Sequence, residues 1–219
     1  MTRPAAVSFD VDGTLYPVGW RLLLRAAVRP GALRTLRLVK RARERLRGRD
    51  FPDGTALAGA LATELGALAG MDAAAARTLV ATLRTRHWPA LLHGLVPAAT
   101  RRALEELAAA GTPLAAFSDH DVEVKLQALG VRPLFAVVVN AEDEGAYKPH
   151  PRGFLAVAAR LGVPAAAVLH VGDRADTDVA GALAAGMRAA LVGPGAPGDA
   201  QIVAPTVSVL VRRLLAPPD

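Results

Sequence analysis

The chain has 219 residues, 52% of them hydrophobic and 21% charged, with no cysteine and a formal net charge of +6. That length and apolar content suit one globular core, or a core with a smaller insert, and exclude a disordered chain. The missing cysteines exclude disulfides, thiolate metal sites and a cysteine nucleophile. The charge is uneven: Arg21 to Arg49 holds ten arginines and one lysine against the single acid Glu44, so the rest of the chain is net acidic. No run of about 18 uncharged apolar residues occurs, so no membrane span is expected. An apolar strand begins so near Met1 that no signal peptide is expected before it, and a cytoplasmic protein is expected.

Ala5 to Phe9 reads as a buried strand. It delivers Asp10-Val11-Asp12-Gly13-Thr14. Residues two apart on a strand point the same way, and a bend at the strand end lets both carboxylates reach one small space. Like charges there repel unless a cation or anion-holding donors accompany them. Oxygen-only ligands favour a hard ion such as Mg2+. Gly13 allows the backbone to approach a ligand closely or to take a positive φ.

After a loop ending at Pro17, apolar spacing predicts helices over 18–29, 32–47, 55–69 and 72–87. Pro30-Gly31 separates the first two, and Asp72 is placed to cap the fourth. Residues 18 to about 90 are therefore expected to be all helical. Beyond Trp88-Pro89 the pattern alternates: helix 97–110, strand 114–117, helix 121–129, strand 135–139, a polar loop 140–149, helix 151–161, strand 168–171, helix 177–185, strand 189–192 and a terminal helix ending near Leu215. Alternation of this kind predicts a doubly wound α/β fold with a parallel sheet, whose ligands bind beyond the carboxyl ends of the strands. Asp10, Ser118, the loop with Lys148, and Asp173 all fall at that end. Carboxylates, a hydroxyl and a lysine around a hard cation suit phosphoryl transfer, in which a carboxylate can itself be the nucleophile.

Asp10-Val11-Asp12-Gly13-Thr14 resembles motif I of the haloacid dehalogenase (HAD) superfamily. Phe117-Ser118-Asp119 resembles motif II, Lys148-Pro149 motif III, and Gly172-Asp173 through Asp178 motif IV. The motifs stand in the family's order, and a helical stretch after motif I resembles the cap that many members insert there. The resemblance implies a HAD-like, Rossmannoid core domain from residues 1–17 and 91–219 and a helical cap domain from 18–90. It implies a Mg2+-dependent phosphatase acting on a small phosphorylated metabolite through an aspartyl-phosphate. Asp10 would be nucleophile and Mg2+ ligand. Asp12 would be general acid/base and would ligate through its backbone carbonyl. Gly13, Ser118, Asp119 and Lys148 would bind phosphate, Lys148 also screening the nucleophile. Asp173 and Asp178 would complete the metal site. The superfamily's dehalogenases lack an acid at the position of Asp12, which favours phosphate esters. Two positions depart from the pattern: Asp119 stands where asparagine is frequent among family phosphatases, and Arg174 where a small residue is frequent.

Other readings stay open at this level. Ser118 is also an ordinary helix N-cap, and Asp178 also suits a helix N-terminus. Asp176 reads as a surface or capping residue, the histidines as structural with His120 best placed to see substrate, and Trp20 and Trp88 as hinge packing. A phosphosugar mutase would share the same core. A different class is a binding module using Arg21 to Arg49 on anionic lipid or nucleic acid. Substrate identity and oligomeric state carry no signature in the sequence.

Overall fold

The computed structural model describes residues 3–216. The chain opens with β1 (Ala6–Phe9) and passes into α1 (Trp20–Ala27), α2 (Ala32–Leu46), α3 (Gly54–Ala69), α4 (Ala73–Thr82) and α5 (Trp88–Leu92). It then runs through α6 (Ala98–Ala109), β2 (Leu114–Ser118), α7 (Val122–Leu129), β3 (Val137–Asn140), α8 (Pro151–Leu161), β4 (Val168–Gly172), α9 (Ala180–Ala184), β5 (Arg188–Val192), β6 (Ile202–Ala204) and α10 (Val207–Leu215). The six strands form one sheet in the order β3-β2-β1-β4-β5-β6, and every pairing is parallel.

Parallel strands carry helices on both faces, so their residues are buried on both sides and alternate between two cores. Val7, Phe9, Leu114, Ala116, Leu169, Val171, Ala190 and Val192 face one core, shared with Leu104, Leu126 and Leu210 of α6, α7 and α10. Ala115, Phe117, Val168, Ala189 and Leu191 face the other, with Phe154 and Val157 of α8 and Ala182 of α9. Strands after β1 are added on one side as β2 and β3 and on the other as β4, β5 and β6. The order therefore reverses between β1 and β4, and a crevice opens beyond their carboxyl ends, where such sheets take ligands.

Three local expectations change. The fourth helix ends at Thr82, but a π-helical turn, Leu83–His87, carries the chain directly into α5. Pro89 stands in the first turn of α5, where its missing N–H costs no intrahelical bond, so it does not stop the helix there. Residues 175–179 form a π-helical turn ahead of α9. The edge strand β6 has three residues, too few for a period-2 signal, and was expected to be loop or terminal helix. Asp72 caps α4 by accepting from Ala75 N at 2.8 Å, and Asp53 caps α3 in the same way from Ala56 N.

Named contacts tie the insert to the loop before α8 and to α8 itself, and its first helix to α5. Arg152 Nη1 donates to Phe51 O and Glu144 O at 2.7 and 2.8 Å, and Phe51 N donates to Gly145 O. Arg25 Nη1 ties α1 to the end of α5 through Leu91 O and His93 O. Among the described residues no helix is long and apolar enough to cross a membrane.

The second core tolerates no added volume where α8 crosses β2. A Cβ at Gly153 would lie 2.5 Å from the ring of Phe117, itself fully buried and edge-on to Phe154. Gly153→Ala should lower the unfolding free energy by about 1–3 kcal/mol, read as a lower urea midpoint; an unchanged midpoint would show that this contact is loose.

Candidate active site

Asp10 follows β1, and its N–H donates to Val171 O of β4, which fixes its backbone at the crevice. Its Oδ1 accepts from Lys148 Nζ at 2.6 Å, and Thr14 Oγ1 lies 3.5 Å from Oδ2. The same Nζ reaches Asp178 Oδ1 at 2.5 Å. Asp10, Asp173 and Asp178 each bring a carboxylate oxygen within 4.8 Å of the others. Asp10 and Asp178 thus share one buried ammonium group, with the carboxylate of Asp173 close beside them.

This crowding depends on absent side chains. A Cβ on Gly13, at φ +94, would overlap the carboxylate of Asp173, and one on Gly172 would overlap that of Asp178. The N–H of Gly13 donates to Tyr16 O, so Gly13 serves the acid cluster by making room for it. Asp178 sits in a π-helical turn and is held by Arg174 N–H at 3.1 Å and by His170 Nε2 at 3.4 Å, with His170 Nδ1 3.1 Å from Ser8 Oγ.

Burial raises Asp10 to about 7, with Lys148 opposing and the charges of Asp178 and Asp12 adding to the rise. Burial and then Asp178 raise Asp173 to about 6. Against burial, Lys148 and His170 hold Asp178 well below the carboxylate range. Lys148 is raised, against burial, by Asp10 and then Asp178. The cluster holds more negative charge than Lys148 neutralises, and its donors are all hard oxygens. That donor set fits a hard divalent cation.

Asp12 faces the same cavity but different partners. Lys125 Nζ of α7 and Tyr16 OH both donate to it, and His120 Nε2 lies 4.0 Å away. Lys125 is fully buried, 4.9 Å from the Trp88 ring centroid. Against burial, Lys125 and then His120 lower Asp12 to about 2. Burial, Arg43 and Lys125 lower His120, which favours its neutral ring. Asp121, at φ +53, accepts from Trp88 Nε1 at 2.9 Å and from Arg84 Nε at 2.5 Å, so it pins α5 and the turn before it over the crevice.

Ser118 ends β2, buried, with its side chain on the cavity. It is not the cap of α7: Asn140 Oδ1 takes that place, accepting from Val122 N at 2.8 Å. Asp119, expected at the phosphate, spends both carboxylate oxygens on protein donors, Lys148 N at 3.0 Å and Arg47 Nη2 at 2.8 Å. A carboxylate engaged in this way braces the loop and leaves anion binding to its neighbours. Arg174 pairs with the exposed Asp176 at 2.6 Å. Asp10, Asp12, Ser118, Lys148, Asp173 and Asp178 line one cavity of about 420 Å³, roofed by Leu33, Leu36, Val39 and Arg43 of α2 and by Trp88.

Tyr16, Lys125, Arg47 and His170 escaped the sequence reading. Tyr16 follows Asp12 by four residues, a spacing that only the turn makes meaningful. Lys125 is one lysine on a short helix, and nothing in the pattern marks it as buried. His170 was read as structural, and its contacts are with Ser8 and Asp178.

A family model described as haloacid dehalogenase-like hydrolase matches residues 4–186. The chain is 46% identical over 63 residues to the glyceraldehyde 3-phosphate phosphatase of Methanopyrus kandleri, covering 29% of this chain and 27% of that one. It is 34% identical over 119 residues to the ribulose-1,5-bisphosphate 5-phosphatase of Halopiger xanaduensis, covering 52% and 49%. It therefore spans about half or less of the length of these curated relatives. The solved structure of a 2-haloacid dehalogenase from Pseudomonas syringae pv. Tomato DC3000 superposes with a TM-score of 0.66 at 26% identity, covering 98% of each chain.

The Asp12–Lys125 pair has a defined pH signature. A carboxylate whose native value is depressed adds stability above its ordinary 3.8, and that stability is lost as pH falls through about 2. Lys125→Met strands the Asp12 charge at neutral pH and should cost about 1–3 kcal/mol at pH 7. The deficit should shrink at pH 4, where Asp12 of the variant protonates. Urea unfolding at the two pH values checks this; equal deficits would mean that Lys125 acts through packing alone.

Proposed function

The chain belongs to the haloacid dehalogenase-like hydrolase family, and on that premise we propose that it is a Mg2+-dependent phosphatase of a small phosphorylated metabolite, working through an aspartyl-phosphate on Asp10. One observation carries the reading: both Asp10 and Asp12 open onto the cavity that also holds Ser118, Lys148, Asp173 and Asp178. The dehalogenase reading has no use for a second carboxylate at Asp12, whereas ester hydrolysis needs a group that gives and then takes a proton. The names of the curated phosphatases support the same choice.

Asp10 Oδ attacks phosphorus as the bond to the ester oxygen breaks. Lys148, already on Asp10, and the hydroxyl of Ser118 hold the phosphoryl oxygens. The leaving oxygen needs a proton, and Asp12 is ionised at rest. A phosphomonoester has its second ionisation near 6, so its monoanion can bring that proton, which Asp12 relays to the alcohol. Asp12, again a carboxylate held by Lys125 and Tyr16, then takes a proton from water as its oxygen attacks phosphorus and the bond to Asp10 breaks. The proton passes from Asp12 to the departing phosphate, which leaves both Asp10 and Asp12 as free carboxylates. Asp10, Asp173 and Asp178 would hold Mg2+, which supplies neutralising charge to the phosphoryl group and to the three acids.

Asp10→Asn should lower phosphate release from p-nitrophenyl phosphate by about 10³-fold or more in the presence of Mg2+, and EDTA should abolish the wild-type rate. Full turnover by Asp10→Asn overturns the reading. A second check uses no substrate. Protons compete with a cation for Asp10 and Asp173, whose raised values of about 7 and about 6 keep them largely protonated at pH 5. The rise in melting temperature on adding MgCl2 should therefore be small at pH 5 and larger at pH 8. A shift equal at both pH values would place Mg2+ elsewhere.

A further inference from the structure

The large apolar side chains exposed among the described residues gather at the start of the insert. They are Val18, Trp20, Leu23, Leu24 and Val28, with only Leu155 and Val203 elsewhere. α1 packs inward through Leu22 and Ala26, four residues apart. Trp20, Leu24 and Val28 keep the same spacing along the opposite side, and Trp20 is 71% and Val28 73% exposed. The helix is held in that orientation, because Arg25 Nη1 donates to Leu91 O and His93 O at 2.9 and 2.7 Å. Val18 and Leu23 also line the active-site cavity, but Trp20, Leu24 and Val28 do not. A substrate in the cavity therefore leaves this stripe bare. Exposed apolar side chains that adjoin in this way mark a surface that something else covers.

Charge of one sign accompanies the stripe. A short turn joins α1 to α2, and the two helices touch. Arg21, Arg34, Arg37, Lys40 and Arg41 are exposed and enter no ion pair among the described residues. Glu44, the one acid between Arg21 and Arg49, is already paired with Arg47 and Arg174. A second copy of the chain would meet this face with the same face and set these cations against their counterparts. Nucleic acid would meet the charge and leave the apolar stripe in water. An anionic bilayer meets both. Its headgroups take the cations, while Trp20, Leu24 and Val28 enter the boundary between headgroups and acyl chains. We infer that the outer face of α1 docks the protein on an anionic lipid surface. The mouth of the cavity, edged by Val18 and Leu23, then lies beside the bilayer.

Flotation with vesicles tests this, using phosphatidylcholine alone or with about one-third phosphatidylserine, at about 0.1 M salt. The anionic vesicles should raise the partition coefficient by about 10-fold or more. Trp20 fluorescence should shift to shorter wavelength as the indole leaves water, whereas Trp88 is already buried and adds no such shift. Trp20→Phe should bind and show no shift. The triple variant Trp20→Ser, Leu24→Ser, Val28→Ser should lower partition by about 10-fold or more. Arg34→Gln with Arg37→Gln and Arg41→Gln should remove most of the preference for phosphatidylserine. All six side chains are exposed and outside the cavity, so urea midpoints should match wild type; Trp20→Ser or Arg37→Gln alone replaces a triple variant whose midpoint falls. Three results overturn the inference: no partition into anionic vesicles, equal partition into both kinds, or partition that the apolar triple leaves unchanged. A dimer that Trp20→Ser dissociates, without vesicle binding, gives the face to a second copy. Duplex DNA bound alike by wild type and the apolar triple, again without vesicle binding, gives the cations to nucleic acid. None of these readouts depends on phosphatase turnover.

Discussion

Two carboxylates share one ammonium group at the reversal point of the sheet while a third crowds in beside them, and much of the surrounding structure accommodates that. Asp10 reaches the place because β1 and β4 are adjacent, and its N–H is fixed to Val171 O. Asp173 and Asp178 reach it because Gly13 and Gly172 have no side chains to block them. Lys148 offsets part of the repulsion, and His170, braced on Ser8, offsets a little more at Asp178. Burial first, and the remaining repulsion after it, raise the proton affinity of Asp10 and Asp173. A folding unit under no other demand would exchange such a cluster for apolar packing. Retaining it suits a site for a hard cation and an anionic ligand, as the proposed reaction would need.

Two residues along, Asp12 shows how neighbours divide labour between identical side chains. Both it and Asp10 are penalised by burial. Asp10 shares its lysine with Asp178, whereas no second carboxylate contacts the Lys125 ammonium that Asp12 meets among the described residues. The first is therefore drawn up to about 7 and the second down to about 2. Separated values of this kind suit the distinct roles proposed for the two carboxylates. The polypeptide sets the difference by drawing one lysine from the loop before α8 and the other from the buried face of α7.

What the sequence revealed was what repeats or punctuates. Five apolar runs were enough for the parallel sheet, and the polar residues after four of them for an active end. A two-residue spacing was enough to bring Asp10 and Asp12 onto one cavity. Partners across the fold were not legible. Lys125 is separated from Asp12 by 113 positions, and its burial follows from how α7 lies against β2, β3 and α5, which no local period encodes. Short or compensated features were lost for similar reasons. Three residues of β6 are too few to show alternation, and Pro89 loses its meaning as a breaker in the first turn of a helix.

The basic segment makes the same point about charge. As a sum, Arg21 to Arg49 looks like a surface for an anionic polymer or membrane. As individual side chains, it divides. Arg25 and Arg29 are directed at backbone carbonyls of the α5 region, Arg47 clamps the loop of Asp119 and Lys148, and Arg43 is enclosed above the active site. A guanidinium with donors met within the fold contributes to its geometry, whereas Arg21, Arg34, Arg37 and Arg41 stay exposed. The distinction cannot be drawn from net charge, because both kinds count as +1. It follows from where each N–H points.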